Sequence, residues 1–192
     1  MESRARLLGH SLHRMLVVFP LGLFVTAVIF DLIGLAVDNE TWSGVAFYLI
    51  GAGIVGGLLA ALFGMIDLLA IPRATRAWRI GVAHGTGNAI VIALFCASWL
   101  LRAGDPAHPG DAGIALSSLA VMLLAVTGWL GAELVERLGV GVAPRAGLDA
   151  PSSLTHLAEP PAVLPPQMTL TRGPLGHARA NIDVPLLRGP RA

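Results

Sequence analysis

The stretch MLVVFPLGLFVTAVIFDLIGLAV, residues Met15–Val37, decides the fold. It contains a single charged side chain, Asp31. A helix needs about 20 mostly apolar residues to cross the hydrocarbon core of a bilayer, and this stretch is long enough to do so. A secretory signal peptide has a shorter apolar core followed by a small-residue cleavage site. We therefore interpret Met15–Val37 as a retained transmembrane helix.

Three further stretches have the same character. The chain has 192 residues, of which 55% are hydrophobic and 13% are charged, and its mean hydropathy is +0.72. Short connections make consecutive helices antiparallel neighbours. The sequence therefore predicts an all-α fold, an integral membrane four-helix antiparallel bundle with spans at about Met15–Val37, Val45–Ile71, Ile80–Leu101 and Gly113–Val135.

The composition excludes nucleic-acid binding and any site that needs two cysteines. The chain has 13 basic residues, all of them arginine, and 12 acidic residues, so its formal net charge is only +1. Such a chain has no large basic surface for binding nucleic acid, and we expect the lipid bilayer as its main partner. Cys96 is the single cysteine, which excludes an intramolecular disulfide and a zinc site built from paired cysteines.

The arginines predict the orientation in the membrane. Arg102 alone falls in the loops on one side of a four-span arrangement, and cytoplasmic loops are enriched in positive charge. Both termini are therefore expected in the cytoplasm. The other arginines that fall near the spans lie on the opposite side from Arg102: Arg4, Arg6, Arg14, Arg73, Arg76, Arg79, Arg137 and Arg145.

The composition also divides the chain into three segments. We expect a cytoplasmic N-terminal segment at residues 1–14, a membrane domain at residues 15–139 and a cytoplasmic tail at residues 140–192. The tail holds nine of the 13 prolines and no run long enough to cross a membrane. Because proline interrupts helices, we predict that the tail is disordered, and it either solubilises the protein or docks a partner.

Ionisable groups inside a span cost several kcal/mol and mark candidate functional sites. Asp67 lies four residues before the end of the second predicted span, and His84 lies four residues after the start of the third. At about 1.5 Å per residue, both are about 6 Å inside the cytoplasmic boundary. We therefore expect Asp67 and His84 to form a pair, with Asn88 one turn deeper on the His84 face.

Two more histidines precede the first span. His10 and His13 are three residues apart, so on a helix they share one face at the cytoplasmic entry to that span. Together with Asp67, His84 and Asn88, they form a predicted polar cluster in the inner leaflet. Asp31 lies about 27 Å farther along the first helix than His13, so it belongs to the outer leaflet. We expect Asp31 to cap a helix or bond to a neighbouring one, and the alternative is a role in an ion path.

Four separated motifs resemble a bacterial membrane family known as domain of unknown function number 2231. They are GHSLHRMLVVFPLGLFVTAVIFDLIGL (Gly9–Leu35), GLLAALFGMIDLLAIP (Gly57–Pro72), the Arg79–Asn88 segment, and GWLGAELVERLGVGV (Gly128–Val142). The resemblance covers residues 9 to 142. It implies a four-helix membrane domain in a bacterial cytoplasmic (inner) membrane.

The opening motif departs from the family pattern at three positions. Members typically begin Gly-His-Pro-x-His-Pro, and this chain has Ser11 and Arg14 at the two proline positions while it keeps His10 and His13. Some members also carry a histidine just before the Phe-Pro pair, where this chain has Val18. The resemblance implies no established activity.

Four hypotheses of function remain open, and no set of catalytic residues is identified. The first is a non-catalytic membrane subunit or assembly partner, whose tail recruits a cytoplasmic protein and whose small-residue stripes dock helices of another protein or of a second copy. These stripes are Gly53, Gly57 and Ala61 in the second span and Gly81 and Gly85 in the third. The second is a redox protein that binds haem b, with axial ligands from His84 and either His13 or His10, and with Asp67 orienting His84. The third is a small transporter or proton path through Asp67 and His84. The fourth is a single metal ion held by His10, His13, Asp67 and His84.

Overall fold

The computed structural model describes residues 2–144, 146–154, 168–172 and 178–182. Four helical spans are long and apolar enough to cross a membrane: span 1 (Leu12–Val37), span 2 (Glu40–Leu69), span 3 (Arg76–Arg102) and span 4 (Asp111–Arg137). The predicted all-α, four-span membrane fold is therefore confirmed. The boundaries differ from the prediction mainly between spans 1 and 2, where the connection is two residues long because span 2 already begins at Glu40.

Local sequence explains the irregular points of these spans. Span 1 consists of α1 (Leu12–Leu16) and α2 (Val18–Val37), which are separated at Val17. Pro20 follows in the first turn of α2, where it has no N–H to donate to the carbonyl of Leu16. Span 2 is helix α3 (Glu40–Leu69), span 3 is α4 (Arg76–Arg102), and span 4 is α5 (Asp111–Ala132) continued by a π-helical turn (Glu133–Arg137).

Two side chains cap the starts of spans 2 and 3. Asn39 Oδ1 accepts a hydrogen bond of 3.0 Å from the backbone N–H of Thr41, and Thr75 Oγ1 accepts one of 3.1 Å from Trp78. Each cap satisfies a backbone donor that the first turn of a helix leaves free. Asp38, at the end of span 1, has φ 49°, which allows the chain to reverse within two residues.

The spans pack as two hairpins. Spans 1 and 2 pack extensively, as do spans 3 and 4, and less extensive contacts of span 2 with span 3 and of span 1 with span 4 close the ring. Spans 1 and 3 therefore face each other across the centre. The residues of the central core are almost fully buried: Phe24, Ala27, Ala46, Ile50, Val91, Phe95 and Ala120.

Short strands lie outside the spans. Strand β1 (Arg6–Leu7) pairs antiparallel with β2 (His10–Ser11) just before span 1, and β3 (Met168–Arg172) pairs antiparallel with β4 (Ala178–Ile182) in the tail. The chain divides into two compact units, Met1–Leu154 and Thr155–Ala192. Apart from β3 and β4, the predicted disordered tail beyond Leu154 lies outside the described residues.

Candidate functional site

Two histidines from opposite spans meet near one end of the bundle. The ring centres of His13 in span 1 and His84 in span 3 are 6.3 Å apart, and the ring planes are at 89° to each other. His13 Nδ1 lies 2.8 Å from the carbonyl oxygen of Ala60, and His84 Nδ1 lies 2.8 Å from that of Thr127. Because a carbonyl oxygen can only accept, both Nδ1 atoms carry a proton, and the neutral form of each ring has its lone pair on Nε2.

A glycine makes room for each imidazole. A Cβ atom at Gly64 would lie 2.9 Å from both Cε1 and Nδ1 of His13, and one at Gly131 would lie 3.0 Å from Cε1 of His84. Each glycine lies one helical turn after the residue whose carbonyl accepts the hydrogen bond, Ala60 or Thr127. Both rings are therefore held against the backbone of a neighbouring span.

Two polar side chains complete the surroundings of His84. Asn88 Nδ2 lies 3.1 Å from His84 Nε2 and 3.5 Å from His84 Nδ1, and the hydroxyl of Thr127 lies 3.0 Å from Asn88 Oδ1. His84, Asn88 and Thr127 thus form one polar cluster between spans 3 and 4. This places Asn88 beside His84, as the sequence predicted.

Asp67 does not pair with His84, contrary to the expectation. Its carboxylate accepts hydrogen bonds of 2.8 Å from the hydroxyl of Ser3 and from the backbone N–H of Arg4. A longer contact of 3.4 Å comes from the N–H of Ala5. Asp67 therefore anchors the N-terminal segment to the end of span 2, whereas His84 binds Thr127 and Asn88.

His10 does not share a helical face with His13, contrary to the expectation, because the helix begins only at Leu12. His10 lies in strand β2 and is exposed, with Nδ1 3.1 Å from the carbonyl oxygen of Leu8. In the described part of the chain, no three side chains of His, Cys, Asp or Glu come together as metal ligands. The four-ligand metal site of His10, His13, Asp67 and His84 is therefore not assembled. Of the predicted site residues, the structure brings together His13, His84 and Asn88.

A second polar cluster lies at the other end of the bundle. Arg102 donates to both carboxylate oxygens of Asp31, each over 2.8 Å, and both side chains are fully buried. Arg102 also donates to the hydroxyls of Ser98 and Ser117 and to the carbonyl of Gly113. Asp31 thus forms the expected bond to a neighbouring helix. The sequence interpretation missed its partner, because it placed Arg102 in a loop.

Apolar packing separates the two clusters. Phe24 and Phe95 stack between spans 1 and 3, with ring centres 3.8 Å apart. Gly53 lies under Phe24, where an added Cβ would come within 2.6 Å of that ring, and Gly57 contacts Ile92 and Pro20. The glycines of the predicted docking stripe are therefore used for packing inside the bundle.

The sequence also contains a repeat that the interpretation overlooked. His13, Phe24 and Asp31 have the same spacing as His84, Phe95 and Arg102, so each residue precedes its counterpart by the same number of positions. Comparing the first half of the domain with the second would have identified Arg102 as the counterpart of Asp31 and His84 as the counterpart of His13.

Comparison with known proteins identifies a family for this chain. No curated protein and no solved structure matches the chain. Residues 9–144 match the family described as "Predicted membrane protein (DUF2231)". The match covers all four spans and agrees with the resemblance of the four sequence motifs. This chain therefore belongs to the DUF2231 family of predicted membrane proteins.

Proposed function

We propose that the membrane domain binds one haem b between His13 and His84 and acts as a one-electron carrier. The observation that supports this proposal is the 6.3 Å separation of the two imidazole rings. Imidazoles that bind one metal ion from opposite sides, with metal–nitrogen bonds of about 2 Å, have ring centres roughly 6 Å apart. Helical bundles commonly hold cofactors in this way, between side chains on facing helices.

The hydrogen bonds of both rings favour metal binding through Nε2. A metal-binding histidine usually donates its other N–H to a carboxylate, a backbone carbonyl or water, which fixes its tautomer and orientation. His13 and His84 both donate Nδ1–H to backbone carbonyls, those of Ala60 and Thr127. Asn88 Nδ2 lies at similar distances from both ring nitrogens of His84, 3.1 Å from Nε2 and 3.5 Å from Nδ1, so it does not lie along the Nε2 lone pair.

The small number of ligands favours haem over other metal centres. A metal ion without a macrocycle needs about four ligands from the protein, whereas the porphyrin supplies four nitrogens and leaves two axial positions. The two histidines match that requirement. His13 and His84 together would hold the haem, which would then supply one-electron transfer, because neither histidine would give way to a substrate.

The proposal also specifies the side of the membrane on which the two histidines lie. We place the domain in a bacterial inner membrane with both termini in the cytoplasm, so that His13 and His84 lie in the cytoplasmic half. The arginine distribution supports this orientation. A proton path through Asp67 and His84 has less support, because Asp67 binds Ser3 and Arg4, and the Phe24–Phe95 stack lies between the two polar clusters.

The test is haem content and absorption of the full-length protein, purified from membranes and titrated with haem. We expect a Soret band and one haem per chain, and we expect His13→Ala and His84→Ala each to remove the bound haem. His10→Ala is the matched control, because this exposed histidine lies close to His13 in the sequence but outside the site. A wild-type protein with no Soret band after titration would overturn the proposal and leave the non-catalytic membrane subunit as the better hypothesis.

A further inference from the structure

Three pairs of residues lie along the line where spans 1 and 3 face each other. They are His13 with His84, Phe24 with Phe95, and Asp31 with Arg102, and the two members of every pair have the same separation in the sequence. The members of each pair lie close together. The ring centres are 6.3 Å apart in the histidine pair and 3.8 Å apart in the phenylalanine pair, and a nitrogen of Arg102 lies 2.8 Å from an oxygen of Asp31. Positions that are equivalent in sequence thus meet in space at three depths.

Spans 2 and 4 also contain equivalent positions, and their separation in the sequence is constant but slightly shorter than that between spans 1 and 3. Ala60 in span 2 and Thr127 in span 4 are equivalent positions, and their carbonyls accept the equivalent hydrogen bonds from His13 and His84. Gly64 and Gly131 have the same separation in the sequence as Ala60 and Thr127, and they make equivalent contacts with the same two rings. Each hairpin therefore holds its own histidine in the same way.

We infer that the membrane domain consists of two copies of one helical hairpin, related by an approximate two-fold axis between spans 1 and 3. Spans 1 and 3 run in the same direction, so this axis lies along the bundle. A face that meets its own counterpart across a two-fold axis is self-complementary. The axis-facing surface of each hairpin therefore fits a second hairpin of the same kind, supplied by the same chain or by a second copy of this chain.

The buried charges determine which hairpins pair. Two first hairpins would bring Asp31 against Asp31, and two second hairpins would bring Arg102 against Arg102. A buried charge that loses its partner is strongly destabilising, so only unlike hairpins associate. The second hairpin also supplies Ser98 and Ser117, which accept from Arg102. The first hairpin has Ala27 and Ile50 at the equivalent positions.

Exchange of hairpins between two full-length chains tests this inference. The single variants Asp31→Arg and Arg102→Asp each bury two like charges, and we expect each to lower the yield of monodisperse protein by at least about tenfold. When the two variants are co-expressed with different tags, the first hairpin of the Asp31→Arg chain matches the second hairpin of the Arg102→Asp chain. The two remaining hairpins form the wild-type pair.

We therefore expect co-expression to restore a large part of the yield and to give a complex that carries both tags. Co-expression of two differently tagged Asp31→Arg chains is the control and should restore nothing. Single variants with wild-type yield would overturn the inference, as would co-expression without recovery. The double variant Asp31→Arg/Arg102→Asp in one chain should recover in part, because the exchanged arginine lies beside Ala27 and Ile50 instead of Ser98 and Ser117. A double variant no better than either single variant would show that the two positions are not equivalent. These measurements do not depend on haem, so they stand apart from the proposed function.

Discussion

Arg102 is the largest side chain that is fully buried in the described part of the chain. Its guanidinium donates to Asp31, Ser98, Ser117 and the carbonyl of Gly113, so each of its buried nitrogens has a partner. A buried ion pair is tolerated when such hydrogen bonds complete it, and it is costly when one partner is removed. The pair therefore joins spans 1 and 3 specifically, because neither charge has an equivalent partner elsewhere in the described core.

Glycines determine whether the two imidazoles fit. We expect Gly64→Ala to push His13 out of its position, because the added Cβ would lie 2.9 Å from the ring. This crowding should lower stability by about 1 to 3 kcal/mol, measured by thermal unfolding in detergent, and weaken haem binding. Gly44→Ala in the same span meets no atom within 4 Å, so it should be neutral or stabilise by up to about 1 kcal/mol. Equal effects of the two substitutions would contradict this interpretation.

At the residue scale, sequence reasoning predicted depth along the helices better than direction around them. It placed Asp67 and His84 at one depth, and it placed Asn88 beside His84. Depth follows from counting residues along a helix of constant rise, but two side chains at one depth still point in different directions around their helices. Asp67 points to Ser3 and Arg4, in a segment whose strands the sequence did not predict.

Among the elements, the N-terminal segment is the one that depends on Asp67. Strands β1 and β2 form a short hairpin before span 1, and Leu12 donates to the carbonyl of Ala5 over 2.9 Å. Asp67 holds the start of this segment through the hydroxyl of buried Ser3 and the N–H of Arg4. The segment therefore covers the end of span 2, close to the helical turn that carries His13.

We expect Asp67→Ala to release this segment. Hydrogen bonds to a charged group contribute about 1.5 to 3 kcal/mol each, so losing two of them should increase the local opening at least about tenfold. The measurement is the rate at which trypsin removes an N-terminal tag by cutting after Arg4 or Arg6. Asp38→Ala, at an exposed carboxylate on the opposite end of the bundle, should leave that rate unchanged. An unchanged rate in Asp67→Ala would show that other contacts hold the segment.

For the whole molecule, charge differs between the two ends of the bundle. At the end with the short Asp38–Asn39 connection, two carboxylates lie close to His108. Its Nε2 is 2.5 Å from Glu40 and its Nδ1 is 3.0 Å from Asp105. At the other end, Arg76 pairs with Glu133 over 2.7 Å, and Arg73 lies over the ring of Trp78. An arginine-rich end is typical of the cytoplasmic side of a membrane protein.

This distribution predicts the results of reporter fusions. A reporter after Ala143, or one within the 70–75 connection between spans 2 and 3, should be active in the cytoplasm. A reporter inserted after Asn39 should be active only on the outer side. Alkaline phosphatase and a fluorescent protein, which work on opposite sides of a bacterial inner membrane, give complementary readouts at each position. Cytoplasmic activity at the Asn39 position would contradict the orientation.

At this largest scale, the sequence predicted the number and order of the spans, because apolar length alone decides whether a helix can cross a bilayer. It did not predict which spans face each other, since ring closure depends on side-chain packing across the bundle. The constant spacing of His13, Phe24 and Asp31 from their counterparts contains that information, but it becomes evident only when the two halves are compared.

The electron paramagnetic resonance spectrum of the oxidised, haem-titrated protein tests the central proposal most directly. Two axial imidazoles make ferric haem low-spin, and ring planes near the observed 89° give a strongly anisotropic low-spin signal. We expect that signal in wild-type protein and its loss in both His13→Ala and His84→Ala. A high-spin ferric signal in the wild-type protein, or no haem signal at all, would contradict the assignment of His13 and His84 as a pair of axial ligands.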